Sequence, residues 1–483
     1  MYSFLLNRAL LPGALALTES SFLRLASGSS KRQFFSPEAI RNLQVERLRG
    51  LLSHAAERVA FYRDRFADAG CRPDKFAGLD DLERYPSLTK EEIQANFPDR
   101  MVAGAASNDG WRWIGTRGTT SRLMVIQDFR KRDQARANAV VALTADCRYR
   151  LGHRTVYIPP DECSALCGVE GLRESSVSRQ LRRMFSSRRV RDQIALSDLR
   201  GLVMNNWVER KTLLEPFGPD GTHIPDERCA SYVRRLRETR PILLKALPEY
   251  LLTIARYAER TGDRLPVVPV VRPMGALMTG TVKREVARAF RGAVREDYGS
   301  REFGAMAFEC REGHGLHVLS DGFVIEVMRD GRPAADGELG QVLVTDLQNR
   351  AMPLIRYRIG DLGRIERGPC RCGRSTPRLF LEGRSADACA TADGRLLTSA
   401  AAAEFFYNRS EVDQFQLVER SLRHWELQVV PKGRFARDWT DLLESFRRFS
   451  GDPRRLSVRE VRTIQPESSG KFRHVKSRLA PAV

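Results

Sequence analysis

The chain has 483 residues, 42% of them hydrophobic, which is enough for at least two domains with substantial cores. Its net charge of +20 comes mainly from arginines spread along the sequence, without a basic stripe interleaved with aromatic residues, so a specific nucleic-acid site is disfavoured. No run reaches the roughly 20 apolar residues of a membrane span, and nine cysteines without a secreted disulfide pattern favour a cytoplasmic location.

The first predicted elements are helices. Residues 44–69 place apolar side chains at helical spacing, which predicts one helix. Thr89 precedes a turn rich in acidic residues, a pattern typical of a helix cap. The N-terminal stretch 1–25 is apolar only in patches and has no convincing cleavage site. We therefore expect a packed helix there, with at most peripheral membrane contact, instead of a signal peptide.

Two types of sheet are predicted further along the chain. Between residues 232 and 301, short apolar strands alternate with helices at 248–261 and 282–290, which is typical of a mostly parallel sheet covered by helices. The strands beyond His317, joined by Asp-Gly and Gly turns, are 324–327, 340–345 and 354–357. These strands predict an antiparallel, barrel-like subdomain, so the fold class is α/β.

Four separated segments carry groups suited to nucleotide chemistry. Residues 116–122 (TRGTTSR) combine hydroxyls, a glycine and two arginines, and such a loop can hold phosphates. It is not a Walker loop, and taken alone it could equally be a polar turn. Glu302 can hold Mg²⁺, Asp361 can accept hydrogen bonds from ribose hydroxyls, and Lys471 can stabilise charge on phosphorus. Together they suit the joining of a carboxylic acid to the α-phosphate of ATP.

These segments also carry a resemblance to a known family. The matching segments, in chain order, are 116–121, 298–304, 352–362, 381–387 and 468–473. They resemble the signature segments of adenylate-forming (AMP-binding) ligases, in the phenylacetate–CoA ligase-like, capsular-biosynthesis-associated and coenzyme F390 synthetase-like branch. The resemblance runs from Gln44 to Lys476 and is most specific at residues 350–358 (RAMPLIRYR). It implies a large N-terminal ATP- and acyl-binding domain, residues 1–383, with mixed sheets, and a small mobile α+β lid domain, residues 384–483.

The resemblance also implies site residues. Thr119 and Thr120 would grip phosphates, Glu302 would bind Mg²⁺, and Lys471 would be the adenylation lysine of the mobile domain. The implied catalytic residues are Lys471, Glu302, Thr119 and Arg384. The implied nucleotide-binding residues are Thr116, Arg117, Gly118, Thr120, Gly275, Ala276, Tyr298, Gly299, Ser300 and Asp361. Among these, Gly275 and Ala276 would line the adenine or acyl pocket, and the inter-domain hinge would lie near Asp387.

Some positions depart from the family pattern. Arg117 replaces a serine and Ser121 replaces a glycine of the phosphate loop, while Arg301 replaces the usual Thr or Ser before the glutamate. One reading is an enzyme whose arginines add charge at the phosphates, and the other is a degenerate, non-catalytic nucleotide-binding homologue. Retention of Glu302, Asp361, Arg384 and Lys471 favours activity.

The expected reaction is ATP-dependent formation of an acyl-adenylate with release of pyrophosphate, followed by transfer to CoA. An alternative is an acyl- or aryl-AMP ligase that passes the acyl group to an acyl carrier protein or an amine in polysaccharide or secondary-metabolite biosynthesis. The acid pocket would be formed by segments such as 232–250 and 274–279, whose residue types do not distinguish an aryl from an alkyl acid. A homodimer is left open.

A second constellation has the composition of a metal site. Cys370 and Cys372 form a Cys-x-Cys pair on a Gly/Pro-flanked loop, and Cys310 with a nearby histidine could complete a tetrahedron. His317 is the favoured nitrogen ligand and His314 the alternate. Members of the phenylacetate–CoA ligase-like branch carry such a site, so the expected ion is a structural Zn²⁺.

Overall fold

The structure is a computed structural model. It describes residues 2–6, 21–104, 111–115, 123–159, 208–215, 224–433, 438–465, 467 and 472–477. The α-helices of these ranges are α1 (Tyr2–Leu5), α2 (Phe22–Arg32), α3 (Pro37–Arg58), α4 (Ala60–Asp68), α5 (Lys90–Asn96), α6 (Phe129–Thr144), α7 (Asp226–Thr239), α8 (Pro248–Thr261), α9 (Gly280–Phe290), α10 (Ser399–Tyr407) and α11 (Thr440–Ser450). Within the described residues, no helix has the length and apolar character needed to cross a membrane.

The strands fall into two large sheets, one small sheet and two short ribbons. They are β1 (Arg112–Gly115), β2 (Met124–Gln127), β3 (Thr155–Tyr157), β4 (Lys211–Leu213), β5 (Leu243–Ala246), β6 (Val270–Pro273), β7 (Ala293–Val294), β8 (Asp297–Ser300), β9 (Gly304–Glu309), β10 (Leu316–Val318), β11 (Phe323–Arg329), β12 (Arg332–Pro333), β13 (Gly340–Asp346), β14 (Tyr357–Glu366), β15 (Arg378–Arg384), β16 (Cys389–Ala390), β17 (Leu396–Leu397), β18 (Val412–Ser421), β19 (His424–Pro431), β20 (Arg455–Glu460) and β21 (Val475–Lys476).

The predicted helix over residues 44–69 is two helices. Val59 separates α3 from α4 with extended dihedral angles (φ −121°, ψ 110°) and is fully buried. A β-branched side chain fits this extended geometry, so the apolar spacing continues across a break that periodicity alone does not reveal. The predicted cap at Thr89 is confirmed, because its hydroxyl accepts the Glu92 N–H while the Glu92 carboxylate accepts the Thr89 N–H.

The predicted parallel sheet has the strand order β4-β3-β5-β6-β7, with all neighbours parallel. Helix α8 spans the predicted 248–261, and α9 begins two residues earlier than predicted because Thr279 caps it. Their apolar faces bury Leu251 and Val286 in one cluster with strand residues such as Val271. The carboxyl ends of these strands form the edge at which ligands bind in such sheets.

The antiparallel subdomain is one eight-stranded sheet of order β12-β11-β13-β14-β15-β10-β9-β8. Its β11–β12 turn is the predicted Asp-Gly turn, since Asp330 and Gly331 both have positive φ, 49° and 78°. Although three strands separate β8 from β14 in this order, the Tyr298 hydroxyl on β8 lies 2.6 Å from an Asp361 oxygen on β14. In a flat sheet these strands would be roughly 19 Å apart. The sheet therefore curls strongly, in agreement with the barrel-like prediction.

The predicted strand at 354–357 is wrong in its bounds, because β14 begins only at Tyr357. Arg356 interrupts the extended chain with a φ of 49°, in the left-handed region. Its buried guanidinium donates to the Glu326 carboxylate and to the Tyr85 carbonyl. These bonds compensate the unusual backbone, so tertiary contacts decide where the strand starts.

The C-terminal part has its own sheet, of order β20-β19-β18-β21, and its own core. Phe406 of α10 packs on Phe415, and Phe446 of α11 on Trp425. Polar contacts join this part to the parallel-sheet helices: Arg256 donates to Asp413 over 2.6 Å, and Thr281 to Glu404 over 2.9 Å. The domain boundary between residues 383 and 384 stays a prediction.

Candidate active site and candidate metal centre

Asp361 lies at the centre of a charged corner formed by β8, β14 and β15. Its register partner on β15 is Arg384, whose Nε lies 3.2 Å from Asp361 Oδ1, while the Tyr298 hydroxyl donates to Oδ2 over 2.6 Å. The Asp361 carboxylate raises the pKa of Arg384, and burial together with that carboxylate raises the pKa of Tyr298. The corner therefore keeps the Arg384 guanidinium charged beside the Asp361 carboxyl group. Arg384 remains half exposed, so the corner is open to a ligand.

Glu302 lies beside this corner, at the turn between β8 and β9. It is 9% exposed, and in the described part of the chain its carboxylate has no hydrogen bond or ion pair. Its negative charge contributes to the raised pKa of Tyr357, after burial, and to that of Tyr298. A buried carboxylate without a protein cation as its partner fits a divalent-metal ligand.

The same turn presents a hydroxyl and a backbone that only glycine permits. Ser300 Oγ is buried and has no hydrogen-bond partner among the described residues, so it is free to bind a ligand. A Cβ at Gly299 would lie 2.6 Å from the Gly304 carbonyl oxygen, so this close turn requires glycine. Gly275 and Ala276 follow the carboxyl end of β6, and the exposed Gly275 has a φ of 72°.

The chain on either side of the predicted phosphate loop is anchored to this region. Arg301 donates to the Gly115 carbonyl over 2.9 Å, at the residue before the loop. After the loop, Asn349 donates to the Ile126 carbonyl of β2 over 2.8 Å. The loop residues Thr116, Arg117, Gly118, Thr119 and Thr120 lie outside the described residues.

Lys471 also lies outside the described residues, but the chain next to it has a defined position. The guanidinium of Arg473 forms an ion pair with Asp387 and donates to the Ala386 carbonyl over 3.0 Å. Asp387 ends a 3-10 turn that directly follows Arg384. Burial raises the pKa of Asp387, and Arg473 opposes that shift. Sequence reasoning gave Arg473 no role; its position two residues after the predicted lysine was the available signal.

The four predicted metal ligands come together. Their ligand atoms, on Cys310, His317, Cys370 and Cys372, all lie within 4.8 Å of one another. Cys310 follows β9, His317 is on β10, and the Cys-x-Cys pair is in the β14–β15 loop. The Cys310 and Cys370 sulfurs lie 3.8 Å apart, and Cys372 Sγ lies 3.4 Å from His317 Nε2. His314 lies apart, with its Nε2 3.3 Å from Glu366.

The local chemistry of this cluster suits Zn²⁺. His317 Nδ1 lies 3.3 Å from the Thr376 carbonyl, which leaves Nε2 to face the sulfurs. Burial lowers the pKa of His317 to about 4, so the imidazole is neutral. Burial alone would raise the pKa of Cys372, but hydrogen bonds from the Arg374 backbone and guanidinium lower it overall. Three sulfurs and one neutral imidazole match a closed tetrahedral zinc site. Thr376, which sequence reasoning missed, is its orienting residue.

The comparisons with known proteins agree with these observations. No protein-family model matches the chain. The phenylacetate-coenzyme A ligase of Escherichia coli (strain K12) is 28% identical over 360 residues, 73% of this chain and 72% of that protein. The enzyme of the same name from Pseudomonas putida is 26% identical over 363 residues, 72% of this chain and 73% of that protein.

Over nearly three quarters of its length the chain is therefore similar to phenylacetate-coenzyme A ligases, and these relatives support the predicted resemblance to adenylate-forming ligases. A solved structure of 2-hydroxyisobutyryl-CoA ligase has the same fold, with a TM-score of 0.66 at 19% identity, over 93% of this chain and 92% of that one. The superfamily resemblance and the α/β fold class predicted from the sequence are thereby confirmed.

Proposed function

We propose that this adenylate-forming ligase activates a carboxylic acid with ATP and then transfers the acyl group to CoA. A carboxylate oxygen attacks the α-phosphorus, the bond to the β-phosphate oxygen breaks, and pyrophosphate leaves. The CoA thiol then attacks the acyl carbon and loses its proton, and AMP departs with the bridging oxygen. The Tyr298–Asp361–Arg384 corner beside Glu302 carries this proposal, because it offers a ribose acceptor, a cation and a metal carboxylate at one place.

Each residue has a role that follows from its chemistry. Asp361 accepts the ribose hydroxyls, and Tyr298 holds that carboxylate in place while its ring borders the adenine. Arg384 balances charge between ribose and α-phosphate. Thr116, Arg117, Gly118, Thr119 and Thr120 hold the departing phosphates. Lys471 stabilises the charge that develops on the α-phosphate, where positioning and charge neutralisation dominate catalysis.

Glu302 would hold Mg²⁺, which neutralises phosphate charge when it is bound. Cys310, His317, Cys370 and Cys372 would hold Zn²⁺, which ties the β9–β10 turn to the β14–β15 loop. With these four protein ligands, the site would be closed and structural and would offer no position for substrate.

The two half-reactions favour a movable C-terminal part. Lys471 is two residues before Arg473 in the sequence. Arg473 forms an ion pair with Asp387, which lies next to Arg384. Withdrawal of the segment that carries Lys471 after adenylation would open the acyl carbon to a thiol. Residues 384–483 are therefore proposed as the lid domain.

Acid-dependent exchange of labelled pyrophosphate into ATP tests the first half-reaction. The assay would use the full chain with Mg·ATP and a panel of aryl and alkyl carboxylic acids. We expect exchange with at least one acid, and formation of its CoA thioester when CoA is added. A lack of exchange with every acid would contradict the proposed enzymatic activity and support the alternative of a non-catalytic nucleotide-binding homologue. Exchange without thioester formation, followed by acyl transfer to a carrier protein or an amine, would contradict CoA as the acceptor.

A further inference from the structure

Two cationic side chains lie side by side at the carboxyl end of the parallel sheet. Lys245 of β5 and Arg272 of β6 are register partners. Register partners on neighbouring strands point to the same face of a sheet, so Lys245 and Arg272 share one face. Lys245 belongs to segment 232–250, which the sequence predicts to contribute to the acid pocket.

The Arg272 guanidinium has unused hydrogen-bonding capacity. Its side chain is 0% exposed, yet Nε and Nη1 have no hydrogen-bond acceptor in the described part of the chain. Nη2 donates to the Ala142 carbonyl of α6, and Nη1 lies 3.7 Å from an Asp297 oxygen, beyond hydrogen-bond distance. Unpartnered donors on a buried charged group are costly unless a ligand supplies acceptors.

Charge around Lys245 is also unbalanced. Among the residues that the structure describes, the charged groups that act most strongly on Lys245 are Glu209, Lys211, Asp297 and Arg272, which with Lys245 gives three cations and two carboxylates. Glu209 is already bound to Lys211 at 2.8 Å, and the Lys245 ammonium makes no ion pair or hydrogen bond among the described residues. Burial lowers the pKa of Lys245, while Asp297 and Glu209 oppose that shift. An anion beside Lys245 would complete the cluster.

The cluster lies away from the face that the proposed ribose site uses. Asp297 and Tyr298 are consecutive residues of β8, so their side chains point to opposite sides of the strand. Arg272 approaches Asp297, whereas Tyr298 holds Asp361 at the ribose corner. An anion bound at Lys245 would therefore be separate from the nucleotide. In the proposed reaction, such an anion would be a group of the acid substrate, at the end remote from the reacting carboxylate.

We propose that Lys245 and Arg272 bind a second carboxylate at the remote end of the acid, so that the preferred substrates are dicarboxylic acids. This inference rests on the proposed function, because the acid is the substrate of that reaction. An apolar aryl acid would leave the Lys245 ammonium without an ion pair and the Arg272 Nε and Nη1 without hydrogen-bond acceptors among the described residues, whereas a remote carboxylate would give these donors a partner. Lys245 would thus determine specificity for a dicarboxylic acid over a monocarboxylic acid.

The test compares α,ω-dicarboxylic acids with monocarboxylic acids of equal length, using acid-dependent pyrophosphate exchange by the full chain. Wild type is expected to prefer the diacid by about 10–100-fold in kcat/KM, the effect of one or two charge-assisted hydrogen bonds. Lys245→Met should lose this preference while its kcat/KM for the monoacid changes less than about threefold. Lys245→Arg, the matched control, keeps the positive charge and should keep the preference.

The outcomes separate the inference from the proposed function. Exchange with monoacids but no preference for diacids in wild type would overturn the dicarboxylate inference alone, without reference to any variant. An equal loss for both acids in a folded Lys245→Met, judged by its melting temperature, would also overturn it, since a structural role does not discriminate between substrates. No exchange with any acid would overturn both proposals.

Discussion

The two ends of the β14–β15 hairpin show two different uses of polar side chains. At one end, Asp361 and Arg384 face each other as a charged pair, with Arg384 half exposed. At the other end, the connecting loop places Cys370 and Cys372 against a buried neutral histidine. The distance from Asp361 to Glu366, the last residue of β14, is already about 17 Å at ~3.4 Å per residue. The accessible charged side chains at one end suit the binding of a substrate. The buried cysteine and histidine side chains at the other end suit a permanently bound structural ion.

This contrast predicts that damage to the two ends has different consequences. Changes at the nucleotide end should alter rate constants while the fold persists. Changes at the metal end should alter stability while the rate per folded molecule persists.

The largest effect is expected from Lys471→Ala. Loss of the cation that stabilises the α-phosphate should reduce acid-dependent pyrophosphate exchange by about 10²–10³-fold, the usual effect of removing one transition-state donor. The melting temperature should not change. Unchanged exchange in this variant would contradict the role of Lys471.

The next effect is expected from Asp361→Asn. The asparagine amide is neutral, so it cannot form the ion pair with Arg384 and is a weaker acceptor for the ribose hydroxyls. The kcat/KM for ATP should therefore fall by about 10–100-fold. Asp336→Asn is the matched control, because Asp336 forms an exposed ion pair with Arg367 just beyond the metal end of β14. Equal losses in both variants would mean that Asp361 has no special role.

At the metal end, Cys370→Ser should abolish zinc binding. We expect about one zinc per wild-type chain by elemental analysis. A loss of ~2 kcal/mol in the free energy of unfolding of the variant would lower the melting temperature of the large predicted domain by about 2–3 °C. The exchange rate per folded molecule should stay within about twofold, because the site is far from the nucleotide corner.

Three further variants test the assignment of the zinc ligands. Cys71→Ser is the cysteine control, since Cys71 lies outside the cluster, and it should retain zinc. His317→Ala should lose zinc and His314→Ala should keep it. Zinc loss in the His314 variant alone, or a folded wild type without zinc, would refute the assignment.

The smallest effect is expected from Tyr298→Phe. Removal of one hydroxyl that donates to Asp361 should raise KM for ATP by about 2–10-fold, corresponding to about 0.5–1.5 kcal/mol. Tyr62→Phe is the control, because the Tyr62 hydroxyl is also buried but donates to the Pro353 carbonyl. Tyr62→Phe should lower stability and leave KM for ATP unchanged. A change of KM in Tyr62→Phe but not in Tyr298→Phe would contradict the role of Tyr298 at the nucleotide.

Local signals in the sequence predicted the local structure well. The Thr89 cap, the bounds of α8 and the Asp330–Gly331 turn depend on neighbouring residues, so short patterns contain the relevant physics. Short patterns did not predict the helix break at Val59 or the strand start after Arg356. A buried extended residue and an arginine in the left-handed region are stabilised by contacts distant in sequence.

The candidate site depended on long-range information. Tyr298 and Asp361 are 63 residues apart and meet only because the sheet curls, so family resemblance, and not periodicity, brought them together in the prediction. The Cys-x-Cys spacing predicted the metal cluster, but spacing could not decide between two histidines; β10 orients His317 toward the sulfurs. The sequence placed Lys245 only within the broad segment 232–250 and gave Arg272 no role, since isolated cations in apolar strands become informative only when the strand register pairs them.

The fate of the carboxylate oxygens tests the central claim most directly. The acid that gives the strongest pyrophosphate exchange would be labelled with ¹⁸O in its carboxylate and incubated with the protein, Mg·ATP and CoA. Because the attacking oxygen stays on phosphorus when the thiol displaces AMP, an acyl-adenylate intermediate predicts one ¹⁸O atom in each AMP and none in pyrophosphate. Unlabelled AMP, or acid-dependent formation of ADP and phosphate, would contradict an acyl-adenylate and with it the assignment of the Tyr298–Asp361–Arg384 corner.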